Sequence, residues 1–111
     1  VLRTLKKRQK LIYVNSATPQ NVIKKLIPRI YGSNFFDGIY GGPECKSTNL
    51  LHIMNDRKLV PNNVVMIGDG LDDWVAAQSV GCRFRGVAGG SFQHSKKFKS
   101  LRPIENLREL L

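Results

Sequence analysis

Acidic residues are scarce in this chain. Eight aspartates and glutamates stand against 18 lysines and arginines, a net charge of +10 at pH 7. Such a balance suits a nucleic-acid or acidic-surface partner, or simply well-solvated helix faces. Arg3, Lys6, Lys7, Arg8 and Lys10 crowd the start, and Lys96, Lys97, Lys99 and Arg102 crowd the later part. No aromatic side chain interleaves the first cluster, so base stacking has no support there and nucleic acid is not the expected partner. Cysteine is nearly missing: Cys45 and Cys82 are too few for a disulfide framework and lack metal-site spacing. Reduced thiols and a cytoplasmic setting are therefore expected. No apolar run approaches the roughly 18 residues that would span a bilayer, and no signal-peptide core is visible, so no membrane partner is expected. No glycine-rich loop opens a helix, which argues against nucleotide-binding folds of that type. No repeat or linker divides the chain, so residues 1–111 read as one domain, with 1–10 as an approach helix and 11–111 as core. The first residue is Val1 rather than Met, which suggests an incomplete translation product.

What is present is organised around residues 64–77. Residues 64–67 are apolar and β-branched, the pattern of a strand buried on both faces. The run stops at Gly68, and Asp69, Asp72 and Asp73 follow at once. Trp74, Ala76, Ala77 and Val80 recur at helical spacing, with Gly81 placed as a C′ residue. Acids where a buried strand turns into a helix stand at the usual ligand site of parallel α/β sheets. Asp69 and Asp73 bracket one tight loop, so both could reach a single hard cation such as Mg²⁺. Asp72 reads equally well as an ordinary helix-start acid.

The rest of the chain alternates strand and helix. Residues 11–14 read as a strand, residues 15–19 as its turn, with Thr18 a cap and Pro19 at the first helical position. Val22, Ile23, Leu26 and Ile27 form one apolar stripe, and Pro28 should weaken or end that helix. Residues 35–40 lead into a short strand closed by Gly41-Gly42-Pro43, and Ser47 or Thr48 can cap the helix that follows. Residues 82–87 read as a last strand, 88–95 as a loop and 104–111 as a closing helix. The alternation specifies an α/β fold with a doubly wound parallel sheet.

Two further residues invite a chemical reading. Ser16 follows a buried strand at the same level as Asp69, where a hydroxyl and nearby backbone N–H groups suit a phosphate oxygen; local turn capping is the alternative. Lys46 stands near a helix start, a placement the dipole disfavours, although an exposed lysine there loses little. His52 and His94 read as surface residues.

Gly68-Asp69-Gly70-Leu71-Asp72-Asp73 with Ala76-Ala77 and Gly81 resembles the fourth motif of the haloacid-dehalogenase-like (HAD) phosphohydrolase superfamily. Tyr13 to Pro19 is similar to its second motif, with Ser16 as the matching residue. Gly41 to Lys46 is similar to its third, with Ser47 where a proline is usual, and Phe35-Phe36-Asp37-Gly38 resembles phosphoglycolate-phosphatase-like members. The resemblance covers most of residues 11–87. It implies a Mg²⁺-dependent phosphatase acting on a small phosphorylated substrate through an aspartyl-phosphate. Ser16, Ala17 and Lys46 would hold phosphate, Lys46 and Asp73 would serve catalysis, and Asp69 and Asp73 would serve the metal. The first motif, Asp-x-Asp on the central strand, does not occur here, so the resemblance implies a C-terminal part lacking nucleophile and cap, inactive alone. A non-catalytic HAD-like module, whose basic surface meets nucleic acid or a protein partner, is the rival reading. Substrate identity and oligomeric state are not specified by these residues.

Overall fold

A computed structural model describes residues 2–32 and 34–87. The chain divides into two compact units, Val1–Asn49 and Leu50–Leu111.

The first unit opens with helix α1 (Leu2–Lys7), shorter than the expected span of residues 1–10. Asp37 ties it down: Lys6 forms an ion pair with the Asp37 carboxylate, which also accepts the Ile12 N–H. Strand β1 (Tyr13–Pro19) follows, later and longer than expected, because it continues through the residues read as a turn. It pairs in parallel with β2 (Gly38–Gly42). The partners are Tyr13 with Gly38, Val14 with Ile39 and Asn15 with Tyr40; pairing then resumes at Pro19 with Gly42. Ser16, Ala17 and Thr18 thus oppose Gly41 alone, a bulge of the kind that re-aims side chains.

Helix α2 (Gln20–Tyr31) starts one residue later than expected, with Pro19 at the N-cap and no side-chain cap from Thr18. Pro28 does not end it. Only one turn remains beyond the proline, and the helix closes at Gly32 (φ 82°), whose N–H bonds the Pro28 carbonyl at 2.9 Å. The expected apolar stripe is split: Ile23 and Ile27 are buried, whereas Val22 and Leu26 are exposed. Helix α3 (Lys46–Arg57) begins before the expected caps. Its first turn closes on Cys45, whose carbonyl accepts the Asn49 N–H at 3.0 Å, so Ser47 and Thr48 lie inside the helix.

In the second unit a 3-10 turn (Pro61–Asn63) leads to strand β3 (Val65–Gly68), which pairs in parallel with β4 (Arg83–Gly86). Burial on both faces of β3 is not observed: Met66 is buried in the core, but Val65, which alternation sends to the other face, is exposed. Helix α4 (Leu71–Val80) lies between the two strands in sequence. Gly81 ends it in the left-handed region (φ 77°), donating to Gln78, while Cys82 N–H reaches back to Ala77. Both bonds define a Schellman C-cap, with Gly81 at the C′ position expected of it. Leu50, Met66, Ala76, Ala77 and Cys82 form the core, with Val64, Val80 and Phe84 packed against it. Burial of each large aliphatic side chain contributes about 1.5–3 kcal/mol. The loop at 88–95, with His94, the later basic cluster and the helix at 104–111 lie outside the described residues.

Candidate phosphate and metal site

In the first unit, Ser16 sits in the β1 bulge, half-buried, and its Oγ accepts the Thr18 N–H at 3.1 Å. The local side-chain-to-backbone bond that the alternative reading expects is therefore present, although the segment is strand rather than turn. A hydroxyl that accepts from the backbone keeps its own proton to donate, which suits an anionic oxygen. Ala17 is exposed and, with Pro19, Gln20, Asn21, Gly42 and Pro43, lines an open hollow of about 480 Å³ at the carboxyl ends of β1 and β2. The Gly42–Pro43 peptide on its rim is cis. Gly41 is required by close approach: a Cβ there would meet the Thr18 carbonyl oxygen at 2.5 Å and Ile23 Cγ2 at 2.8 Å.

Lys46 is the first residue of α3 and half-buried. Just before it, the exposed Cys45 thiol contacts the Ser47 and Thr48 hydroxyls, each at 3.1 Å. Those hydroxyl hydrogen bonds, above all the one from Ser47, bring the Cys45 thiol down to about 7. Burial instead pushes the Cys82 thiol up.

The structure links the Ser16 and Lys46 segments through residues that sequence reasoning missed. Asn15 donates from Nδ2 to the Lys46 carbonyl at 2.9 Å. Its Oδ1 accepts from Asn49 Nδ2 at 3.0 Å, and the same Asn49 amide reaches the Gly41 carbonyl at 3.3 Å. Asn49 is 2 % exposed. The sequence carried one signal for it: Asn49 stands four residues before Ile53, a polar group on an otherwise apolar helix face.

In the second unit, Asp69 is exposed just beyond the carboxyl end of β3. Asp73 is 5 % exposed, and its Oδ2 accepts the Gly70 N–H at 3.1 Å. A third-position acid reaching back to the N-cap N–H is half of a capping box. Asp72 is exposed, as its helix-start reading allowed. Asp69 offers a solvent-facing hard oxygen of the kind Mg²⁺ takes, whereas the Asp73 carboxylate is buried against the loop backbone. Among the described residues no group of three or more His, Cys, Asp or Glu side chains could hold a metal on its own. His52 is exposed on α3. No helix among the described residues is long and apolar enough to cross a membrane.

The parallel β-α-β units and the Gly68–Asp73 loop agree with comparison to known proteins. The HAD-hydrolase-like family model matches residues 44–110, well over half of the 111, and the chain belongs to that family. A haloacid dehalogenase-like hydrolase from Bacteroides fragilis superposes with a TM-score of 0.83 at 27% identity, covering 99% of this chain and 56% of its own. A predicted phosphoglycolate phosphatase from Haemophilus somnus superposes with a TM-score of 0.85 at 20% identity, over 98% of this chain and 52% of its own. A haloacid dehalogenase-like family hydrolase from Streptococcus pneumoniae gives 0.82 at 21% identity, over 98% and 54%. The chain thus spans about half the length of these structures. No curated protein matches the sequence.

Proposed function

We propose that the full-length protein hydrolyses a small phosphomonoester through an aspartyl-phosphate, with Mg²⁺. The observation that carries this reading is the linkage of Ser16 and Lys46 through Asn15, in a chain of the HAD-hydrolase-like family. The Ser16 hydroxyl and the Ala17 backbone would hold phosphate oxygens, and the Lys46 ammonium would neutralise the transferring group. Asp69 would hold the metal, and Asp73 would keep the Gly68–Asp73 loop in the shape that presents it. Bound Mg²⁺ would supply charge neutralisation at the phosphoryl oxygens. The attacking aspartate is not among these residues, so covalent catalysis needs a segment outside residues 1–111.

The test is hydrolysis of p-nitrophenyl phosphate by the full-length protein with and without Mg²⁺, beside residues 1–111 alone. Activity in the first and none in the second is expected. Mg²⁺-dependent hydrolysis by residues 1–111, abolished by Asp69→Asn, would show that no further nucleophile is needed. The rival binding-module reading expects no hydrolysis and salt-dependent binding to nucleic acid.

A further inference from the structure

Each unit holds one buried polar side chain among the described residues, Asn49 in the first and Asp73 in the second. A buried amide is costly unless hydrogen-bonded, and an apolar side chain would fill the space without that cost. Leu50 and Ile53 on the same helix are buried and apolar, so this site on α3 could have been apolar too. What Asn49 does there is specific. Its amide nitrogen spans two acceptors on different strands, Asn15 Oδ1 on β1 and the Gly41 carbonyl on β2. Asn15 passes the connection on, from Nδ2 to the Lys46 carbonyl. The chain of bonds has one sense only. Reversing either amide would set oxygen against carbonyl oxygen, or NH₂ against NH₂, so the two amides fix each other.

We infer that the Asn15–Asn49 pair is a positioning device of the phosphate site, an inference that rests on the phosphohydrolase reading above. Asn15 is the last residue paired before the bulge that carries Ser16. Asn49 lies in the first turn of the helix that starts at Lys46. The pair clamps the strand end that presents the hydroxyl to the helix start that presents the ammonium. Neither amide needs to touch the substrate. A preorganised charge acts through its placement, and a misplacement of about 1 Å can cost on the order of 10²-fold in rate.

The experiment is steady-state kinetics of the full-length protein on p-nitrophenyl phosphate, with kcat normalised to folded protein. Variants are Asn49→Leu, Asn15→Asp, both together, and Lys46→Ala as reference. Asn15→Asp is nearly isosteric. It keeps an acceptor for Asn49 but sets an oxygen against the Lys46 carbonyl, so it remains informative should Asn49→Leu fail to fold. A fall in kcat of about 10- to 10²-fold is expected for each single variant, with KM changed less than about threefold. The double variant is expected to fall no further than the worse single one, since both break one linkage. Wild-type kcat in Asn15→Asp, in a protein that Lys46→Ala impairs, would overturn the inference and leave the phosphohydrolase reading standing. Losses that multiply in the double variant would also overturn it. No hydrolysis by the unchanged protein would overturn the phosphohydrolase reading, and this inference with it.

Discussion

The carboxylate of Asp73 occupies the space that a side chain on Gly68 would need. One residue ends β3 and the other sits in the first turn of α4, so their contact sets how sharply strand becomes helix. Gly68→Ala forces the buried, hydrogen-bonded carboxylate aside. We expect a loss of about 1–3 kcal/mol of stability, as for other overpacked sites, measured by urea unfolding. An unchanged midpoint would mean that the loop relaxes freely.

Asp69 and Asp72 are both exposed, four and one residues from Asp73, yet they should behave differently. Asp69→Asn removes a ligand charge while keeping shape. It is expected to raise the Mg²⁺ concentration needed for half-maximal turnover and to lower kcat sharply in the full-length protein. Asp72→Asn should do neither. Both should leave stability within about 0.5 kcal/mol of the parent. Equal Mg²⁺ titrations for the two variants would make Asp69 an ordinary exposed loop acid.

Lys46→Ala tests the charge itself. One preorganised donor at such a site is typically worth about 3–4 kcal/mol of barrier, on the order of 10²–10³ in rate. Its stability cost, for a half-buried side chain, is expected to be smaller, about 1 kcal/mol. A rate matching the parent would make Lys46 an ordinary surface residue.

Cys45 offers a test independent of turnover. The thiolate is the reactive form, and its population rises as pH increases through about 7. Iodoacetamide should therefore label Cys45 half-maximally near pH 7, and Cys82, buried and shifted the other way, far more slowly. Ser47→Ala, which removes the largest stabilising hydrogen bond, should move the Cys45 midpoint upward. A midpoint that stays in place would show that the hydroxyls do not set it.

Periodicity and punctuation made much of the fold legible. Gly81 was readable because a left-handed C′ position nearly demands glycine, and the Gly68–Asp73 loop because apolar strand, glycine and acids follow one another. Pro28 misled, since local rules do not say whether one more turn can form beyond a proline. Val65 misled because a β-branched run looks the same whether one face of the strand is covered or both. At the site, Ser16 and Lys46 were legible as residue types at element ends. Asn15 was not, and Asn49 showed only as a polar group on an apolar helix face, because the role of either amide emerges once β1, β2 and the start of α3 are brought together.

The stretch of β1 in which Ser16, Ala17 and Thr18 face Gly41 alone has a consequence for how this surface can vary. In a continuous ladder a one-residue insertion turns every later side chain to the opposite face. Here the ladder is already interrupted, and Asn15 and Pro19 are each fixed to their own partner on β2. Side chains between those two anchors are insulated from the frame. Residues 16–18 can be exchanged, and their outline redrawn, while the strands on either side keep step.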